Sequence, residues 1–190
     1  LTGLVNFGHV GFFAIGAYAS AIVSMQGVPM VLSFVCAALL AALAAWPIGL
    51  VALRLRDDYF AVVTLGFGET VRLTITSEQW LTNGVQGIPG IPRTFGGLGV
   101  GMAGSLATLG AITLVCIAAA LALRRITRSP FGRVIEAIRD NEDALKALGK
   151  DPARFMMPAL ALGAALAGVA GAFYAHYITY LSPDQFIPLV

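Results

Sequence analysis

Two ionisable side chains, Glu69 and Arg72, stand inside the otherwise apolar run Tyr59–Ile75. Three residues apart, they share one helix face and can pair. Charged groups inside a membrane are expensive and mark function by default. Glu69 lies ten positions after Tyr59, roughly 15 Å along a helix axis at about 1.5 Å per residue, which is near mid-bilayer. Two readings follow: an internal ion pair with Arg72 reaching the outer interface, or a pathway or gating role. Gly66 and Gly68, just upstream, allow close helix approach or local unwinding. A second polar pair, Asn6 and His9, lies in the run Val5–Gly11. It suits an interhelical hydrogen bond or a substrate contact.

The chain offers no catalytic, cofactor-binding or metal-ligating set. His9 and His176 fall in different apolar runs, and GxSxG, HExxH and Walker A patterns are absent from the sequence. Cys36 and Cys116 both sit in apolar runs without a CxxC, as small buried hydrophobes do. Gly99–Gly104 matches GxGxxG, but no strand is predicted before it and Arg124 occupies the place where a dinucleotide site needs an acid. With no nucleotide site, any energy must come from a partner or an ion gradient.

The elements that hold these residues are set by composition. Of 190 residues, 58% are hydrophobic and 12% charged, against about 25% charged in a typical soluble domain. Thirteen of the twenty-two charges fall within residues 124–154, so the rest of the chain cannot build a polar skin. An ordinary soluble enzyme and a disordered chain are excluded, and a net charge of +2 leaves no footprint for nucleic acid. The predicted class is all-α: a polytopic transmembrane helix bundle in contact with lipid. A span needs about 20 apolar residues, and five stretches qualify or nearly do: Leu4–Met25, Val28–Leu53, Tyr59–Ile75, Ser105–Leu123 and Pro152–Leu181. No period-two alternation suggests a barrel. The chain opens on Leu1, is apolar at once, and closes on the apolar Phe186–Val190. It reads as one transmembrane unit, residues 1–190, within a longer polytopic protein, with no signal peptide pattern.

Eight of the twelve basic residues lie between the fourth and fifth stretches, where five acids leave a net +3. By the positive-inside rule, residues 124–154 are predicted to be cytoplasmic. Counting back puts 77–104 outside and Arg54–Asp58 inside, and the unused Arg54 and Arg56 agree with that. The outer segment, rich in Gly and Pro, has turn chemistry. The inner one is punctuated as helix. Ser129-Pro130 reads as N-cap and first residue of a helix to about Arg139. Asn141 reads as the cap of a second, short helix with Glu142 and Asp143 in its first turn, Lys146 in its last and Gly149 at C′. Ala144, Leu145 and Leu148 give that short helix an apolar face. Asp151-Pro152 then opens the fifth stretch. Small residues there (Ala164, Ala167, Gly168, Gly171, Ala172) suit close helix packing.

Several segments together resemble the membrane permease subunits of branched-chain amino-acid ABC transporters, LivM type. They are Gly8–Tyr18, Leu53–Arg72, Gly87–Pro92, Ser129–Arg133, Ala137–Glu142, Ala147–Gly149, Ala167–Ala172 and Ser182–Phe186, in family order over nearly the whole chain. Asp143–Gly149 also follows the spacing of the EAA-type signature of ABC importers, Glu-Ala-Ala-x-x-x-Gly. Asp stands for Glu, Leu for the second Ala, and the downstream Ile-x-Leu-Pro part is unmatched. The resemblance implies that the short capped helix couples to an ATPase, with Arg139, Asp140, Asn141, Glu142, Asp143, Ala144, Leu145, Leu148 and Gly149 as the coupling set. It further implies a multi-pass subunit of a bacterial-type plasma (inner) membrane, not itself an enzyme, working with ATP-binding cassette subunits, a second permease and a periplasmic or lipid-anchored binding protein. Leucine, isoleucine and valine are the implied cargo. Urea or short amides are the alternative within the same family. A secondary transporter is a less favoured class, because ionisable groups at mid-membrane occur in one stretch alone and no internal repeat is visible.

Overall fold

The computed structural model describes residues 8–52, 55, 57–95, 102–140, 145, 149 and 151–186. In chain order the helices are α1 (His9–Met25), α2 (Met30–Ala52), α3 (Asp57–Ser77), the single turn α4 (Gln79–Thr82), α5 (Met102–Thr127), α6 (Pro130–Asp140) and α7 (Pro152–Ile178). Two-residue strands β1 (Ile88–Pro89) and β2 (Tyr180–Leu181) pair antiparallel. The all-α bundle is as predicted. By length and composition alone α2, α5 and α7 can cross a membrane. The described α1 has 17 residues and α3 carries charges, so the predicted count of five spans is approximate.

Boundaries moved where charges were read as loop. The fourth stretch, expected over Ser105–Leu123, runs from Met102 to Thr127. Arg124 and Arg125 are good helix formers and complement the negative C-terminal end of α5. Met102–Gly104, expected in the outer segment, are its first turn. The fifth stretch, expected to reach Leu181, ends at Ile178. There Thr179 turns left-handed (φ 62°) and its N–H caps on the Ala175 carbonyl.

Glycine and alanine set the packing. A Cβ on Gly16 would meet the backbone of Gly168, and one on Gly171 the carbonyl of Phe13. Ala17, Ala21, Ala37, Ala41, Ala45, Ala172 and Ala175 are fully buried. Lipid is as apolar as leucine, so helices associate by close van der Waals contact, which small residues permit. The predicted role of the small residues in α7 holds. The contacts also fix direction. On α1, His9 lies near Gly163 and Gly16 on Gly168, so α1 and α7 are parallel. On α2, Gly49 faces Met157, Ala37 and Ala41 face Gly168, and Phe34 packs on Phe173 with ring centres 4.6 Å apart, so α2 runs the other way. Phe67 of α3 stacks on Phe12 at 4.9 Å and Ile75 joins the cluster of Tyr18 and Ala21, making α3 parallel to α1. The alternation matches an up-down crossing of the membrane. Several hydroxyls within the helices return to their own backbone, as Ser20 to Ala17 and Ser24 to Ala21 do, satisfying donors that lipid cannot.

One end of the bundle carries a clasp. Besides the β1–β2 ladder, Ile91 N–H donates to the Thr179 carbonyl (3.2 Å) and Tyr180 Oη–H to the Gln86 carbonyl (3.0 Å). This ties the Gly/Pro-rich segment to the end of α7. The turn is built by Asn83 (φ 61°), Gly84 (φ 59°) and Gly87 (φ 71°). A side chain on Gly87 would strike the Leu181 carbonyl as well. Exposed Trp80, Tyr177 and Tyr180 ring this end and Trp46 and Tyr59 lie toward the other, as amphipathic aromatics do at membrane interfaces.

At the opposite end the basic segment folds back. Ser129 Oγ accepts from Gly132 N–H (3.4 Å), as its predicted cap role requires, and Asp151 Oδ1 accepts from Ala153 N–H (3.1 Å) at the start of α7; the other predicted cap, Asn141, lies outside the described residues. Ile138 of α6 is buried with Leu145 and Met156 of α7.

Candidate functional site

The exposed surface of the bundle has two chemistries. On α2 it is Val31, Leu32, Val35, Leu39, Leu43, Trp46 and Leu50, and on α5 Leu106, Leu109, Leu114, Ile117 and Leu121. These faces suit hydrocarbon. The exposed line of α3 starts apolar at Tyr59 and Val62, then continues through Gly66, Thr70, Leu73, Thr74 and Ser77. Glu69 and Arg72 flank it. Arg72 Nε donates to both Glu69 carboxylate oxygens at 3.0 and 3.1 Å, with Nη2 on Oε1 as well. The predicted pair is therefore made. Its side chains remain 40% (Glu69) and 23% (Arg72) exposed. A charged pair this exposed would be costly against acyl chains.

The four flanking hydroxyls are each held by a backbone carbonyl one turn back, Thr70 on Gly66, Thr74 on Thr70, Thr76 on Arg72 and Ser77 on Leu73. Their oxygens still have free lone pairs, so the stripe can accept hydrogen bonds from water or cargo. The two glycines divide roles. Gly68 is buried and touches α1: a Cβ on Gly11 would lie 3.1 Å from its Cα. Gly66 opens onto the exposed stripe with nothing within 4 Å of an added Cβ. The helix is continuous through both, so neither unwinds it, and Gly68 alone serves close helix approach. Asn6 lies outside the described residues. His9 is exposed at the start of α1, close to Gly163 of α7.

Of the predicted coupling set, Arg139 and Asp140 end α6, exposed and ion-paired at 3.1 Å. Gly149 has φ +74° with open space around it, as its C′ reading requires. Leu145 departs from expectation. It is 7% exposed and packs on Ile138 and Met156, so it anchors the segment to its own chain rather than offering itself outward. Asn141, Glu142, Asp143, Ala144 and Leu148 lie outside the described residues.

Sequence reading missed His176, seen there as a lone histidine in an apolar run. Its ring is 1% exposed, stacks on Phe34 (5.5 Å) and places Nδ1 2.6 Å from the Pro92 carbonyl. The partner is 84 residues away, beyond any local signal.

The bundle thus carries a charged, hydroxyl-lined stripe on one helix and lipid-compatible faces on α2 and α5. The family model for the branched-chain amino acid transport system / permease component matches residues 1–190. The chain belongs to that family. This permease chain is 34% identical over 209 residues to the high-affinity branched-chain amino acid transport system permease protein LivM of Escherichia coli (strain K12), covering 98% of the chain and 49% of that relative. The LivM of Salmonella typhimurium (strain LT2) matches at the same identity and coverage. A probable branched-chain amino acid transport permease protein LivM of Methanocaldococcus jannaschii is 30% identical over 135 residues, 70% of this chain and 38% of that relative. The permease chain thus spans about half the length of the first two relatives. No solved structure matches it.

Proposed function

We propose that the chain forms part of the transmembrane path of an ATP-driven importer for branched-chain amino acids in a bacterial-type plasma membrane. The exposed polar stripe of α3 carries this reading: lipid cannot cover the Glu69–Arg72 pair, and a facing permease subunit with a wetted path can. The names of the relatives supply the cargo class. ATP hydrolysis is assigned to separate cassette subunits, and delivery to a periplasmic or lipid-anchored binding protein. The segment Arg139–Gly149 is the ATPase-facing element, with Leu145 holding it to α7 and the exposed Arg139–Asp140 end available to the partner. Urea and short amides are the alternative cargo. Uptake of labelled leucine against labelled urea, in vesicles carrying the complete complex, decides between them. ATP-dependent leucine uptake supports the reading, and urea uptake without leucine uptake overturns it.

In this proposal residues 124–154 are cytoplasmic and the clasp end is external. Cysteines at Val85 and Glu136, both exposed, test it in a chain whose Cys36 and Cys116 are alanine. An impermeant thiol reagent applied to intact cells is expected to label position 85 and leave position 136 unlabelled. The reverse pattern refutes the orientation.

A further inference from the structure

Asn83–Gly84 is the one Asn-Gly step in the sequence, and it stands in the turn that begins the clasp. Such a step is chemically labile, because glycine has no side chain to hinder attack by its nitrogen on the preceding carboxamide. In that reaction the Gly84 nitrogen gives its proton to hydroxide and bonds to Asn83 Cγ. The Cγ–Nδ2 bond breaks, Nδ2 leaves as ammonia with a proton from water, and a cyclic imide remains. Water then opens the imide at either carbonyl. The product is aspartate, or isoaspartate with the backbone running through Cγ.

The folded turn opposes each part of this step. Asn83 is left-handed, with φ 61° and ψ 14°. A ψ near zero eclipses the Gly84 nitrogen with the nitrogen of Asn83, which turns it away from Cβ and Cγ. Gly84 is buried, and its N–H is directed at Thr82 Oγ1 (3.4 Å), so base is kept from the proton. Thr82 Oγ1 is itself fixed on the Ile75 and Glu78 carbonyls (2.6 and 2.8 Å). The leaving group is held too: Asn83 Nδ2 donates to the Gly87 carbonyl (2.9 Å). Beyond Gly84 the chain is tied down by Tyr180 on the Gln86 carbonyl and by the β1–β2 ladder. The Asn83 side chain is nevertheless exposed, so water and hydroxide reach it when the turn opens.

We propose that Asn83 is a deamidation site that unlatches the clasp irreversibly: the closed turn preserves the asparagine, local opening lets the imide form, and the product prevents re-closure. The carboxylate of aspartate has no proton for the Gly87 carbonyl and repels it. Isoaspartate lengthens the backbone by one carbon, which moves Gly87 off its close contact with the Leu181 carbonyl. The step consumes water alone, and it is independent of the importer reading.

The test ages the full-length protein in nanodiscs, in mildly alkaline buffer made with heavy-oxygen water, beside the same chain unfolded in SDS. Trypsin releases the site in the peptide Leu73–Arg93, and mass spectrometry reads the converted fraction with time. The folded chain is expected to react at least about tenfold more slowly, because reaction proceeds only from the locally opened turn. Thr82→Val removes the acceptor for Gly84 N–H, and Tyr180→Phe removes the bond to Gln86. Each is expected to speed the folded-state reaction about threefold or more, the scale of one lost hydrogen bond. Tyr177→Phe, exposed and outside the clasp bonds, is the control with an unchanged rate. Tyr180→Phe deletes only a surface hydroxyl, so the comparison stands even if Thr82→Val does not fold. Asn83→Asp reproduces one product directly, and amide hydrogen exchange over residues 88–91 is expected to be faster in it than in wild type. The site is refuted if the unfolded chain does not react, if folded and unfolded chains react alike, or if the folding variants all keep the wild-type rate. Wild-type exchange in Asn83→Asp refutes the unlatching.

Discussion

Gly168→Val is expected to prevent recovery of a folded, monodisperse protein. A Cβ at this position would lie 2.7 Å from both the Ala37 carbonyl oxygen and the Ala41 Cβ on α2, and the other side of Gly168 is already against Gly16 on α1. Overpacking a core costs about 1–3 kcal/mol when neighbouring side chains can yield. Here one neighbour is backbone, and moving it shifts a whole helix, so the cost lies at or beyond the top of that range. Gly110→Val on α5 is the control, since nothing lies within 4 Å of its added Cβ. Melting temperature and elution profile in detergent give the readout. Indistinguishable behaviour of the two variants would refute the three-helix contact as the centre of the bundle.

The second large effect is at Glu69 and Arg72. Glu69→Gln leaves the Arg72 guanidinium without its carboxylate in a span, and Arg72→Gln strands the carboxylate. Removing both leaves two neutral amides that can hydrogen-bond each other. Each single change is therefore expected to depress leucine uptake and folded yield more than the double change does, because an uncompensated charge is worse than none. The double-mutant cycle measures this coupling directly. If the double variant is as impaired as the sum of the singles, the two groups act independently and the pair is not what the sequence spacing selects for.

Local rules made much of this legible in the sequence. Ser129, Asp151 and Gly149 behave as caps because capping is decided within three residues, and the Glu69–Arg72 contact follows from a spacing of three on one helix. The clasp was not legible. Ile88 and Leu181 pair across more than ninety positions, each strand has two residues, and Thr179 turns left-handed without the glycine that would announce it. Leu145 illustrates a different limit: a short amphipathic helix shows the same apolar pattern whether its leucine faces a partner or its own chain. The polarity of the α3 stripe was half visible. Glu69 and Arg72 stood out, but that Thr70, Thr74 and Ser77 share the exposed line needed the packing of α1 against Gly68.

The attachment of α7 at both ends makes it a lever. Near its start it carries Met156 against α6, then Pro158, which has no N–H for the helix ladder and so forms a natural pivot. From that pivot to Ile178 the helix measures about 30 Å, and a swing of about 5° there carries the far end by nearly 3 Å. A two-residue ladder cannot stretch by the length of a hydrogen bond, so β1 and the Gly87–Pro92 stretch must travel with Thr179. Any displacement of the Met156 end would therefore be carried along α7 to the clasp.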